Sequence, residues 1–237
     1  VWAVARIRDG TITRFLYDPT AAELVERKYR QHSRKESANR REPTLMPTQS
    51  LKKTPPATYR DVLDAPPGIV AEIIRGTLHT HPRPAMRHAY AGSSLGYVLS
   101  GPFRFGRGGP GGWWIIDGPE LHLGSGVVVP DLAGWRRETM PDYPDAAYCT
   151  IAPDWVCEVL SPATRGFDLH EKRPFYAGES VSHLWLVDPV ERELEAFELR
   201  EGHWLLIAAL KEDDQVNVRP FEAITFSLAD LWPETPG

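Results

Sequence analysis

Two carboxylates stand where the sequence otherwise builds apolar strand. Asp131 closes "GVVVPD" and leads into "LAGW", and Glu158 interrupts "WVCEVL". A buried, unpaired charge costs several kcal/mol, so each acid needs a partner, a metal or a chemical task. Alternation along a strand puts Val156, Glu158 and Leu160 on one face and Trp155, Cys157 and Val159 on the other. Both faces read as covered. A divalent cation held by the two carboxylates, with water and a phosphate completing an octahedron, would account for both acids. The residues alone leave other readings open. Glu158 could be a structural ion-pair partner, and a second Pro-Asp occurs at Pro153-Asp154.

The elements that must position these acids follow from pattern. After Pro66-Pro67-Gly68, "IVAEIIRGTLHTH" (69–81) reads as a hairpin turning at Arg75-Gly76. Met86, Tyr90, Leu95, Val98 and Leu99 recur at helical spacing and predict a helix that Gly101 ends. "GRGGPGG" (106–112) reads as a flexible connection, and no GK[ST] follows that would make it a phosphate-binding loop. From Trp113 the chain reads as strands: "WWIID", "LHLGSGVVVPDLAGW" and the stretch around Glu158. "FDLHEKRPFYAGES" (167–180) is helical apart from Pro174, which removes a backbone donor and crowds the preceding turn. "HLWLVDP", "RELEAFEL" and "HWLLIAAL" predict a meander with turns at Asp188-Pro189 and Glu201-Gly202. The predicted fold is mixed α/β, a central sheet flanked by helices, with Trp113, Trp114 and Trp185 in its core.

At 237 residues, 42% hydrophobic and 25% charged, the chain can bury one sizeable core. Residues 1–45 differ from the rest. They carry ten basic and six acidic residues, against 17 and 26 in the remainder, and "ERKYRQHSRKESANRREP" has no hydrophobic period. Met46 then opens a polar leader and a helix near Tyr59–Leu63. A disordered or mis-assigned extension over 1–45 and a single domain over 46–237 are expected, with a basic arm touching nucleic acid as the other reading of the extension. The acidic body argues against a broad nucleic-acid footprint but leaves room for a local basic groove. No apolar run reaches the ~18 residues of a membrane span. Cys149 and Cys157, without CxxC spacing, suggest no disulfide framework and fit a reducing cytoplasm.

A Pro-Asp followed some tens of residues later by an acid inside an apolar strand resembles the PD-(D/E)XK nuclease superfamily. "PDWVCEVLSPATRGFDLHEKRPFYA" with "HLWLVDP" resembles most closely the most characteristic block of the bacterial Uma-type family of restriction endonuclease-like proteins. "AEIIRGTL" and "RHAYAGSSL" resemble that family's opening hairpin and first helix, so the likeness spans roughly 46–232. It implies a restriction endonuclease-like core with an extra β-meander, Mg²⁺ (or Mn²⁺) as cofactor, DNA as substrate and a metal-dependent cut of its phosphodiester bonds. By the same resemblance Asp131 and Glu158 are metal ligands and Glu72 completes the metal site. Leu160 occupies the place of the superfamily's lysine, and Lys172, on the following helix, matches the family's replacement. Tyr176 and Asp168 match further polar positions there, as substrate contacts, each four residues from Lys172 and so on one face. Thr77 departs from the family, whose hairpin often has a second acid there. Asp168 has another reading, as a helix N-cap with Glu171 three residues on. "HTH" (79–81) with His88 could bind a transition metal, although scattered histidines are more often surface residues. The rival function is a catalytically weak or inactive nuclease-fold scaffold, forming a homodimer.

Overall fold

The computed structural model describes residues 4–8, 11–16, 48–52 and 55–233. The chain divides into two compact units, Val1–Leu45 and Met46–Gly237. In the first, strands β1 (Val4–Arg8) and β2 (Thr11–Leu16) pair antiparallel. The expectation of disorder over the rest of 1–45 lies outside the described residues.

The second unit holds two large sheets. One has five strands in the order β3 (Gln49–Lys52), β5 (Thr77–Pro82), β4 (Ile69–Ile74), β8 (Gly126–Val128) and β7 (Leu121–Leu123). The β4–β5 hairpin turns at Arg75-Gly76, as the sequence predicts, with both residues at positive φ (51° and 71°). That pair of left-handed residues matches the twist of the flanking strands. It also fixes the register, placing Glu72 opposite His79 and Val70 opposite His81.

The other sheet has six strands in the order β13 (His203–Lys211), β12 (Glu193–Arg200), β11 (His183–Asp188), β10 (Trp155–Val159), β9 (Leu132–Arg136) and β6 (Trp113–Asp117). β10 and β11 run parallel while the other neighbours are antiparallel, so the sheet is mixed. β11 to β13 are the predicted meander. Its last turn, at Glu201-Gly202, again uses two positive φ values.

All five residues of β10 are buried, because helices cover both faces. On one face α2 (Met86–Leu99), the next helix after α1 (Tyr59–Leu63), sets Ala91, Leu95 and Leu99 against Trp155, Cys157 and Val159. On the other, Val156 and Leu160 pack with Phe167, Phe175 and Tyr176. Parallel strands need a crossover, and the chain between β10 and β11 supplies it as α3 (Arg165–Phe167), a π-helical turn (Asp168–Lys172) and α4 (Arg173–Gly178). The crossover therefore runs over the face to which Glu158 points.

Pro174 does not break this helix. The preceding turn widens, Arg173 N–H bonds back to Asp168 O five residues earlier, and Pro174 falls in the first turn of α4, where no donor is required. The chain repeats the device at Pro102. α2 does not stop at Gly101 but continues as a π turn, Ser100–Arg104, with Phe105 N–H bonded to Ser100 O. The predicted apolar stripe of α2 is corrected in part. Leu95 and Leu99 are buried, whereas Met86 and Tyr90 face solvent and His88 and Ala91 take their places inside. Ala91, Gly92 and Gly96 let the helix lie close to the sheet: a Cβ at Gly96 would come within 3.4 Å of Leu132. Trp113 and Trp185 are core, and Cys149 and Cys157 are free and buried. Among the described residues no helix is long and apolar enough to cross a membrane.

Candidate active site

Glu158 is the centre of a buried polar network. The β alternation carries it to the crossover face, where Tyr176 donates its hydroxyl to Glu158 Oε1 at 2.5 Å. Lys172 Nζ donates to Glu158 Oε2 at 3.1 Å. The same ammonium lies 3.1 Å from Glu72 Oε1 and 2.9 Å from the carbonyl of Val129. Two of its three hydrogens go to Glu158 Oε2 and the Val129 carbonyl, while Glu72 is held as an ion pair. The expected juxtaposition of Glu72, Glu158 and Lys172 is present.

Asp131 arrives by a different route. β9 pairs with β10 only as far as Leu132 and Cys157, then peels away. The next inward-directed donor of β10, the N–H of Val159, is taken instead by Asp131 Oδ2 at 2.7 Å. His88, on the buried side of α2, meets the same oxygen at 3.2 Å. The side chain of Asp131 is 24% exposed while Glu158 is sealed, so Asp131 forms the mouth of the cluster. Pro153-Asp154, the sequence's other candidate, is structural. It accepts from Arg136 N–H and Thr139 Oγ1, tying the loop before β10 to β9.

Glu72 is more fully engaged than a metal ligand would be. Oε2 meets His81 Nε2 at 2.7 Å, and Oε1 accepts from Val129 N–H and is ion-paired with Lys172. Lys172 stands between Glu72 and Glu158. The expected convergence of Glu72, Asp131 and Glu158 on one ion position is accordingly not formed: no three such side chains meet at a common point among the described residues. Tyr176 is buried and donates its hydroxyl to Glu158, which leaves it unexposed as a substrate contact. Asp168 is inside the π turn, buried, with its N–H bonded to Thr164 O, so the N-cap reading is corrected; α3 begins after Thr164. The wider π turn brings Asp168 and Lys172 inward together.

Electrostatics sharpen the picture. Four carboxylates, Glu72, Asp131, Glu158 and Asp168, share one lysine. Burial and then the anions Asp168, Asp131 and Glu72 hold the Glu158 carboxyl well above the usual range, against the pull of Lys172. Burial also pushes Asp168 up to about 7 despite Lys172. Burial disfavours the charged lysine, but Glu158, Glu72, Asp168 and Asp131 overcome this and raise its pKa. Glu72 resists the upward push of burial and is lowered, because Lys172, His81 and the Val129 N–H all favour its anion. Burial followed by Glu158 lifts the Tyr176 phenol far above 10.

The network is thus short of positive charge. Its uncommitted acceptors are hard oxygens: Asp131 Oδ1, which has no partner among the described residues, and the remaining lone pairs of Glu158. Magnesium usually takes one or two carboxylates and completes its octahedron with water and phosphate. The donor set fits such an ion through Asp131 and Glu158, with Glu72 behind them. The histidines do not make the transition-metal site the sequence allowed. His81 and His88 are each paired with a carboxylate, and His79 bonds Ser50 Oγ through Nδ1 and packs against the Phe167 ring, tilted by 35° with centroids 4.6 Å apart.

Sequence reasoning missed His81 and His88 as partners of the acids. The hairpin register held a signal for His81: with the turn at Arg75-Gly76, it lies on the same face as Glu72, one pair along. No comparable local signal marked His88.

Residues 56–229 match the family described as "Uma2: Putative restriction endonuclease". Among solved structures, the chain is similar to one titled as a putative nuclease belonging to DUF820 from Anabaena variabilis. The identity is 23% with a TM-score of 0.60, over 74% of this chain and 97% of that one. No curated protein matches.

Proposed function

The chain belongs to the Uma2 family of putative restriction endonucleases, and on that premise we propose that it is a divalent-metal-dependent endonuclease hydrolysing phosphodiester bonds of DNA. The observation that carries this reading is the 3.1 Å contact between Lys172 and Glu158, across 14 residues, beside an Asp131 tied to the same strand. A strand lysine at position 160 would share the face of Glu158. Leu160 stands there, and the crossover helix delivers the missing ammonium to that acid.

Asp131 and Glu158 would hold Mg²⁺ or Mn²⁺. The cation would polarise the scissile phosphate and lower the pKa of a water. The chain's own residues do the rest. Val159 N–H and His88 fix the Asp131 carboxylate, leaving Oδ1 toward solvent. Tyr176 and Lys172 fix Glu158. Glu72, itself held by His81 and Val129 N–H, fixes Lys172. The lysine offsets charge developing on phosphorus by its field. Two of its three hydrogens are given to Glu158 and the Val129 carbonyl, so the third is available for water or phosphate. Asp168 adds negative charge next to Lys172 and keeps it protonated.

The test is nicking of supercoiled plasmid. Lys172→Met should lose about 10²–10³ in rate, the usual cost of removing a group that stabilises transition-state charge. Leu160→Lys in that background rebuilds a cation on the Glu158 face and should restore part of it. Cutting by Lys172→Met at the wild-type rate would reject the assignment.

A further inference from the structure

Between Glu72 and Asp117 lie 44 residues without one acid, in a chain whose formal net charge is −5. The same stretch holds five arginines. We propose that the solvent face of α2, with the loop before it and the turn after it, is the track on which the phosphate backbone of DNA lies as it enters the site. This rests on the nuclease reading and names the surface that reading lacks.

The chain touches the carboxylate network twice in succession, at His81 through Glu72 and at His88 through Asp131. Arg83 and Arg87 lie between those two contacts. Both are exposed, and among the described residues neither has a carboxylate within ion-pair distance. They are exposed cations on the segment that runs from His81 to His88. Farther along α2, Tyr90 and Tyr97 are two turns apart on the outer face, in line with Met86. Tyr97 is 85% exposed and Met86 87% exposed. Beyond the π turn, Arg104 and Arg107 sit over the exposed Phe105 ring, at 5.2 and 5.3 Å.

Cations interleaved with exposed aromatics, on an otherwise acidic body, suit a polyanion that also offers flat bases or sugars. α2 is about 21 Å long, close to six base-pair steps at ~3.4 Å. The track is long enough to fix direction as well as position. Arg83 and Arg87 would hold phosphates beside the one being cut, and Arg107 would hold the distal end. A second copy of the chain is the competing occupant of this face; the missing acids favour a polyanion over an acidic twin.

The experiment measures binding of a labelled random-sequence duplex to the full chain in EDTA, where cleavage is suspended. Arg83→Gln with Arg87→Gln should weaken binding at least about tenfold near ~0.1 M salt, and flatten the dependence of log affinity on log salt by about 2. Arg60→Gln, on the helix Tyr59–Leu63, should change neither, and melting temperature should be unchanged in both. Tyr97→Ala should also weaken binding. Wild-type binding and an unaltered salt slope in the double variant would overturn the track, while magnesium-dependent nicking would still leave the nuclease reading intact. Binding that the variants weaken, without nicking, would uphold the track and reject hydrolysis. A wild-type chain that binds no duplex, or a dimer broken by Tyr97→Asp with DNA binding unchanged, would also overturn the track.

Discussion

Lys172 lies 3.1 Å from both Glu72 Oε1 and Glu158 Oε2, so a single ammonium joins the hairpin to the central strand through the crossover helix. Each of the three partners is buried. The lysine that the mechanism requires is therefore also a structural group, and its two roles separate by pH.

Replacing Lys172 by Met leaves two buried carboxylates without their cation, which costs about 3–5 kcal/mol at neutral pH. As pH falls, Glu72 and Glu158 can protonate and the penalty shrinks. In the wild type the lowered Glu72 pKa has the opposite sign: its contribution is present above the ordinary glutamate range and is lost on acidification through the folded value. Urea melts of both proteins from pH 8 down to about pH 4, into the ordinary glutamate range, should converge toward acid. A constant difference would mean that the contacts with Glu72 and Glu158 are not ionic.

Asp168 gives a second pH signature. Its folded pKa of about 7 exceeds the ordinary aspartate value, so its stabilising contribution is complete in acid and lost as pH rises through 7. Asp168→Asn should stabilise the metal-free protein at pH 8 by roughly 2–4 kcal/mol and do nothing near pH 4. Saturating Mg²⁺ should shrink that gain, since a cation in the cluster favours the aspartate. Equal melting temperatures at pH 8 would show that Asp168 is not under this strain.

How much of this was legible follows from the range of each interaction. The hairpin, the meander and the acid inside β10 are local patterns of turn chemistry and alternation, and they are present as read. Lys172 and Tyr176 were found through resemblance rather than geometry, because only the crossover brings them across to Glu158. Pro174 suggested a kink, but a π turn absorbs it by bonding across five residues, a choice set by tertiary packing. The α2 stripe was misread at Met86 and Tyr90 for a related reason. Apolar spacing alone cannot reveal that His88 has a buried carboxylate to meet, nor that large residues would hold the helix off the sheet. Glu72 was expected as a ligand, and its role changed once Lys172, His81 and Val129 were seen to occupy its oxygens.

The division at Met46 is testable by itself. A chain starting there should melt within a couple of degrees of the full chain, because residues 46–237 contain the two large sheets and the three hydrophobic clusters found among the described residues. A loss above about 2 kcal/mol, the scale of a core defect, would show that the first 45 residues belong to the same cooperative unit.

The central claim is that Asp131 and Glu158 hold a catalytic divalent ion. Its most direct test is nicking of supercoiled plasmid by wild type and by Asp131→Ala, each with Mg²⁺ and with EDTA. Asp131 is at the mouth of the site, so its truncation should spare the fold while removing a ligand. Wild type should nick only with Mg²⁺, and Asp131→Ala should fall by at least about 10²-fold. Equal nicking by the variant, or undiminished nicking by wild type in EDTA, would contradict the account.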